Sequence, residues 1–277
     1  MTAPGITPDS PTWMRPLGAT GLLVSAVAAG GGPLGGMPEL FGYDTPEAQA
    51  IAVLDDLFES PIRVIDTANG YSGGRSEERI GVALSRAGAV ADGMLVATKV
   101  DAKDGDYTGR RVFDSLEESR ARLGMRYLPL VYLHDPEFHP EAGFDRPGGA
   151  VEALVELRER GVVGHLGIAG GHVPTIERLL DTGAFEVLLT HSRQTLLDRG
   201  ADALIDRARA EGLGIANAAV LGGGLLASRG AAPSTATARR VHRSWPPPRH
   251  STISPTSSGS PWPTWPCSTR SATSGST

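Results

Sequence analysis

The sequence contains a single cysteine, Cys267, among 277 residues. One cysteine excludes an internal disulfide and a zinc site built on cysteine ligands, and it fits a reducing compartment. No apolar run approaches the roughly 20 residues that a membrane-spanning helix needs, and positions 1–14 lack the apolar centre of a signal peptide. We therefore expect a cytoplasmic protein.

The chain has no excess of positive charge. Its 26 lysines and arginines stand against 31 aspartates and glutamates, and the formal net charge is -5. This balance argues against a nucleic acid or an anionic membrane surface as the partner. A small molecule is the expected ligand, and the sequence does not indicate an oligomeric state.

Positions 231–277 contain no Asp, Glu or Lys and are rich in Ser, Thr and Pro. That composition is typical of a disordered tail. Three of the four tryptophans nevertheless lie there, at Trp245, Trp262 and Trp265, and a disordered tail is usually poor in tryptophan. Our preferred interpretation is a change of reading frame near Gly230, with a disordered tail as the alternative.

Short apolar runs alternate with helical patterns through positions 15–230, which predicts parallel βαβ units. A small hairpin is expected around Gly18–Gly21, ahead of seven strand–helix steps. The predicted strands run through Ser25–Ala29, Ile65, Leu95, Leu130, Gly164–Ala169, Val187–Leu189 and Gly214–Val220. Pattern and length predict an α/β fold, a (β/α)8 TIM barrel of about 250 residues, which lacks its last strand–helix unit. The expected organisation is a flexible N-terminus (1–14), the barrel (15–230) and the tail (231–277).

Titratable side chains follow three of these strands where each one ends. Asp66 and Tyr71 follow Val64-Ile65, Lys99 follows the next strand and His134 the one after. A barrel builds its site at the face where the strands end. A phenol with a pKa of about 10 needs help to transfer a proton at neutral pH: an ammonium favours the phenolate, and a carboxylate holds the ammonium in place. An imidazole can donate to the same oxygen, so these four residues predict an enzyme that protonates a carbonyl.

The same residues resemble the aldo-keto reductase family: Asp-Thr-Ala-x-x-Tyr at positions 66–71, Lys99, and Leu-His-Asp-Pro at positions 133–136. The segments 15–22 and 74–77 are also similar to that family. The resemblance implies a (β/α)8 barrel and NAD- or NADP-dependent redox chemistry on a carbonyl or an alcohol. It implies that Tyr71 is the general acid and base, that Lys99 and Asp66 tune it, and that His134 positions the carbonyl. The glycine-rich loop 30–36 and Thr195-Leu196-Leu197 are similar to the branch of aldose or fucose dehydrogenases, so a sugar is the expected substrate.

The resemblance also predicts where the dinucleotide binds. His191 is expected to line the cofactor side, and the loop after the seventh strand, with Leu221, Gly223 and Leu225, to meet the pyrophosphate through backbone N–H groups. The family often has Ser-Asn where this chain has Ala169-Gly170, and often a Tyr where it has Gln194. The strand and helix that bind the adenosine have no counterpart, so the choice between NAD and NADP stays open.

Several alternatives compete with these interpretations. Gly30-x-Gly32-x-x-Gly35 matches the Rossmann fingerprint, but prolines interrupt it and no helix opens directly on the glycines. Lys99 could form a Schiff base, as in aldolases on the same fold. The charged stretch 114–122 is interpreted as a solvated helix face with i,i+4 pairs such as Glu118–Arg122.

A metal hydrolase would use His134, Asp135, Glu137 and His139 as ligands, but no His-x-His pair ends an early strand. A regulatory subunit that senses the cofactor, of the kind that the family gives to potassium channels, is a second hypothesis. A third is an inactive product with two unpaired strand edges.

Overall fold

The computed structural model describes residues 5–88, 93–222 and 226. The strands are β1 (Met14–Pro16), β2 (Leu23–Ser25), β3 (Ala29–Gly30), β4 (Val64–Asp66), β5 (Leu95–Val100), β6 (Leu128–His134), β7 (Val163–Gly170), β8 (Val187–His191) and β9 (Gly214–Ala218). The α-helices are α1 (Pro38–Phe41), α2 (Glu47–Glu59), α3 (Arg75–Ala87), α4 (Gly109–Leu123), α5 (Ala150–Glu159), α6 (Val173–Leu180) and α7 (Asp202–Ala210). No helix in the described part of the chain is long and apolar enough to cross a membrane.

Strands β3 to β9 form one parallel sheet, and each strand pairs with its neighbour in the sequence. Sequential parallel pairing with helices between the strands is the (β/α) barrel arrangement, so the predicted fold is confirmed. The sheet has seven strands, and an eighth that would join β9 to β3 is not among the described residues. The predicted hairpin is the antiparallel pair β1–β2.

Two apolar layers follow from the alternation of side chains along the strands. Outward-facing residues such as Ile65, Val131 and Leu188 pack in the larger cluster that includes the helices. The inner cluster contains Val64, Leu95, Ala97, Leu130, Tyr132, Ala169, Val187 and Leu189, together with Leu17 and Val24 of the hairpin. The same alternation turns Asp66, Lys99, His134 and His191 inward, at the carboxyl ends of β4, β5, β6 and β8.

The first barrel strand differs from the prediction. The predicted run Ser25–Ala29 is divided: Ser25 ends β2 of the hairpin, and Ala29 begins β3. The Ser25 hydroxyl donates to the Val27 carbonyl at 2.7 Å and accepts from the Arg63 N–H at 2.8 Å. Because these bonds turn the chain between the two strands, only two residues remain to pair with β4.

Helices α3 and α4 meet at Gly81, where a Cβ atom would lie 1.9 Å from the Arg122 carbonyl oxygen. We expect Gly81→Ala to lower the free energy of unfolding by about 1–3 kcal/mol, because the helices must move apart. In an exposed helix the same replacement of glycine by alanine would raise the stability by about 1 kcal/mol. A decrease in the free energy of unfolding therefore indicates that the contact with α4 decides the outcome. Urea unfolding measures the change, with Ser85→Ala on the exposed face of α3 as control. Equal stability of the two variants would contradict this close packing.

Candidate active site

The Lys99 ammonium is the buried charge at the centre of the site. Lys99 is 1% exposed, and its Nζ donates to Asp66 Oδ2 at 2.8 Å, to the Thr67 carbonyl at 2.8 Å and to the Tyr71 hydroxyl at 3.1 Å. Three ammonium protons thus have three acceptors. Burial alone would lower the pKa of Lys99, but the Asp66 carboxylate and Tyr71 outweigh it and raise that pKa above its usual value. The amine is therefore charged at neutral pH.

Tyr71 lies in the turn after β4, and its hydroxyl accepts a hydrogen bond from Lys99. The phenolic proton therefore remains for another acceptor. Burial raises the pKa of Tyr71 above 10, and the opposing effect of Lys99 does not cancel it. Lys99 lowers the pKa of Tyr71, as predicted from the sequence, but burial has the larger and opposite effect. Tyr71 is a phenol at neutral pH and is ready to donate.

His134 lies beside Tyr71 at the end of β6. The two rings meet edge to face, with centroids 5.5 Å apart and planes at 77°. Its Nδ1 is 2.6 Å from Asp101 Oδ1. Burial would lower the pKa of His134, but Asp101 raises it above the usual value. The structure thus brings all four predicted side chains, Asp66, Tyr71, Lys99 and His134, to one face of the sheet.

Asp101 was missed by the sequence analysis. It comes directly after β5, two residues beyond Lys99, and its Oδ2 accepts the Gly70 N–H at 2.6 Å. One carboxylate thus connects His134 with the turn that carries Tyr71. A titratable residue just after a strand was the available signal, since the same signal identified the other members of the site.

The turn 66–71 is held in place by hydrogen bonds to α4. Asn69 is buried, and its Nδ2 donates to the Ser115 carbonyl at 3.0 Å and to Glu118 Oε2 at 3.1 Å. Arg111 binds both Glu118 oxygens, at 2.9 and 2.7 Å. The interpretation of 114–122 as a solvated face was therefore incomplete, because Glu118 faces this network. The hydrogen bonds from Arg111 lower the pKa of Glu118 to about 2.

The glycine-rich loop 30–36 is held by the first residues of α3. Arg75 Nε and Nη2 donate to the Gly35 and Gly36 carbonyls at 3.0 and 3.1 Å, and Ser76 Oγ donates to the Gly31 carbonyl at 2.7 Å. Residues Gly32–Gly35 form one 3-10 turn rather than the start of a long helix. The match to the Rossmann fingerprint was accidental, as the sequence analysis inferred.

A second polar cluster lies at the ends of β6 and β8. His191 Nε2 is 3.1 Å from Asp135 Oδ1. Glu137 Oε1 accepts the N–H groups of Gly171 and His172 at 2.6 and 3.1 Å, and its Oε2 is buried without a hydrogen-bond partner among the described residues.

Ligand atoms of Asp135, Glu137 and His191 lie within 4.8 Å of one another. The metal site considered from the sequence contained His134 and His139, with Asp135 and Glu137, and did not include His191. His139 does not join this cluster, because its ring packs edge-on against Tyr107 with centroids 5.3 Å apart. The structure therefore groups the candidate ligands differently from the sequence pattern.

Of the residues predicted to meet the pyrophosphate, Leu221 is 52% exposed. Gly223 and Leu225 lie outside the described residues, as does the tail 231–277. Their roles stay predictions. At Gln194 the backbone carbonyl accepts Asn217 Nδ2 at 2.7 Å, which fixes the loop that follows β8.

The chain is similar in sequence to a known enzyme family and to characterised proteins. The model of the Aldo/keto reductase family matches residues 29–263. L-galactose dehydrogenase of Arabidopsis thaliana is 32% identical over 223 residues, 78% of this chain and 68% of that protein. D-threo-aldose 1-dehydrogenase of a Pseudomonas species is 30% identical over 237 residues, 76% of this chain and 69% of that protein.

Solved structures agree with this match. The holo form of an aldo-keto reductase from Bacillus halodurans superposes with a TM-score of 0.66 and 25% identity, over 79% of this chain and 70% of that one. The likeness therefore extends from sequence to the order of strands and helices.

The network around Glu118 predicts a loss of stability in acid. Glu118 is charged above its unfolded pKa of about 4.3 and keeps its charge in the folded protein down to about 2. Its contribution is therefore present above pH 4.3 and is lost as the pH falls toward 2. We expect Glu118→Gln to lower the free energy of unfolding by about 1–2 kcal/mol at pH 7, a modest amount because the charge is partly exposed and screened. Near pH 2 the loss should be much smaller, because Glu118 is then protonated in the unfolded state and partly protonated in the folded one. Urea unfolding of both proteins at several pH values measures this difference, and a difference independent of pH would contradict it.

Proposed function

The chain belongs to the aldo/keto reductase family, and on that premise we propose that it is an NAD- or NADP-dependent oxidoreductase. It would interconvert a small carbonyl compound, with a sugar as the first candidate, and the corresponding alcohol. The observation that carries the proposal is the charged Lys99 beneath the Tyr71 hydroxyl, with the His134 ring beside it. The two sugar dehydrogenases among the relatives support the substrate class. The single cysteine favours the cytoplasm as its compartment.

In the reducing direction Tyr71 donates its phenolic proton to the carbonyl oxygen. The resulting phenolate is stabilised by the Lys99 ammonium, which Asp66 holds at 2.8 Å, and it regains its proton from solvent. In the oxidising direction the phenolate accepts the hydroxyl proton. When bound, the nicotinamide supplies the hydride for reduction and takes it up in oxidation. The contribution of Lys99 to the rate is a fixed positive charge that stabilises the negative charge developing on the Tyr71 oxygen as its proton leaves.

The cluster of Asp135, Glu137 and His191 fits a nicotinamide. The carboxamide NH2 group of a nicotinamide is a hydrogen-bond donor, and Glu137 Oε2 is buried without a donor in the part of the chain that the structure describes. The positions of Glu137 and His191 depend on two glycines: a Cβ at Gly170 would lie 2.6 Å from Glu137 Oε2, and one at Gly171 would lie 2.6 Å from His191 Cε1. His191 would line the cofactor side, as the resemblance implies.

Glu137→Gln tests this assignment through cofactor binding alone. The amide oxygen can still accept the Gly171 and His172 N–H groups, while an NH2 group replaces the unpartnered oxygen. We expect the dissociation constant for NAD(H) or NADP(H), measured by calorimetry, to rise about ten-fold, the effect of one lost hydrogen bond. Glu141→Gln, an exposed carboxylate in the same loop, is the control. Equal affinity of both variants would contradict the role of Glu137.

Tyr71→Phe tests the proposed reaction. Removing the hydroxyl should lower turnover of an aldose or a small aldehyde by about 100-fold or more, while the cofactor affinity is kept. Absorbance of the reduced nicotinamide at 340 nm follows the rate. Undiminished turnover in the variant would refute the assignment. A wild-type chain that binds cofactor without turnover would favour the sensor, and one that binds no cofactor would favour an inactive product.

A further inference from the structure

Asp101 is fixed by hydrogen bonds at four of its atoms. Its backbone N–H donates to Ser115 Oγ at 3.0 Å, and its carbonyl accepts Arg111 Nε at 3.1 Å. Its two carboxylate oxygens are divided between the Gly70 N–H and His134 Nδ1, each at 2.6 Å. Gly70 permits this approach, since a Cβ there would lie 2.9 Å from Oδ2. Both the backbone and the side chain of Asp101 are thus preorganised.

The strand ends that carry Asp101 and His134 are connected by Tyr107. Its buried hydroxyl donates to the Val100 carbonyl at 2.6 Å and accepts the His134 N–H at 2.9 Å. Burial raises the pKa of Tyr107 well above 10, so this bridge keeps its proton. The separation of the carboxylate and the imidazole is therefore set by the frame of the sheet.

The contact with Asp101 decides where the imidazole carries its proton. A carboxylate oxygen only accepts, so His134 Nδ1 must bear the hydrogen. A neutral ring then has a lone pair at Nε2. That atom makes no hydrogen bond to the residues that the structure describes, and the nearest carboxylate oxygen, Asp135 Oδ2, is 3.9 Å away. Nε2 remains for a ligand.

We propose that Asp101 is a positioning residue that fixes the tautomer of His134, so that the two protonation states of the imidazole serve opposite directions of the reaction. The neutral ring accepts a hydrogen bond from the hydroxyl of an arriving alcohol substrate through Nε2 and holds it in place until that single proton passes to the Tyr71 phenolate. The imidazolium donates from Nε2 to a carbonyl oxygen. This inference rests on the proposed function, because it assigns the partner of Nε2 to the substrate oxygen.

The charges around His134 are known from the structure. Burial opposes the imidazolium, but Asp101 and then Asp135 favour it and outweigh both burial and the weaker opposing effect of Lys99, so the pKa of His134 is raised. The Tyr71 ring contacts His134, but the pKa of Tyr71 lies above 10. His134 therefore titrates without interference from Tyr71 at pH values near neutrality.

Asp101→Asn inverts the hydrogen-bond pattern with little change in shape. The Gly70 N–H still requires an acceptor, so the amide oxygen stays there and the NH2 group faces His134 Nδ1. The neutral ring then carries its proton on Nε2. Above the pKa of His134 we expect carbonyl reduction by the wild type to fall about ten-fold per pH unit, whereas the variant stays level and loses alcohol oxidation. Asp104→Asn, an exposed carboxylate in the same loop, should keep the wild-type profile.

Nitrogen NMR of the histidine rings reads the tautomer without turnover. The His134 signals are assigned by their loss in His134→Gln. Nδ1–H in the wild type and Nε2–H in Asp101→Asn would support the proposal. The same tautomer in both proteins, or an equal loss of both reaction directions with an unchanged pH profile, would overturn it. A chain that turns over no aldose or aldehyde refutes the proposed function, while its NMR spectra still decide the role of Asp101.

Discussion

A lysine ammonium enclosed at 1% exposure determines how this site is built. An isolated charge in such a place would lose its proton or force the structure open. Lys99 avoids both outcomes because Asp66, Thr67 and Tyr71 supply one acceptor for each of its protons. All three partners belong to β4 and the turn that follows it. The geometry of that turn is therefore a condition for keeping the charge, and with it the redox chemistry proposed for the chain.

The turn is in its place because other buried polar groups hold it. Asn69 contacts α4 through Ser115 and Glu118, and Arg122 donates to the Asn69 carbonyl at 3.1 Å. Arg122 is also paired with Glu77, which is fully buried on α3. Burial raises the pKa of Glu77, while hydrogen bonds from Thr98, Ser119 and Arg122 oppose the shift. Helices α3 and α4 thus contribute to the site by holding the turn that carries Tyr71.

Much of this arrangement could be predicted, because periodicity and strand ends are local signals. The seven strands and the four residues Asp66, Tyr71, Lys99 and His134 follow from them. The contacts of Asp101 with His134 and of Asp135 with His191 could not be predicted, because each joins the ends of different strands and depends on side-chain directions. The first joins the adjacent strands β5 and β6, and the second joins β6 and β8, which are separated by β7. The net pKa of Tyr71 was likewise beyond the sequence, since the extent of burial decides its sign. The division of the first strand at Ser25 involves a hydrogen bond from the N–H of Arg63, a residue distant in the chain, as well as the local bond to Val27.

The groups proposed to move the proton all come from β4, β5 and β6, which are consecutive in the chain and adjacent in the sheet. Their contacts join strands that follow one another in the chain, and contacts of low sequence separation go with faster folding. A ribosome releases the amino-terminal part of a chain first. Every residue of the acid–base centre, from position 66 to position 134, is therefore already in the growing chain before His191, which completes the cluster proposed for the cofactor, is synthesised.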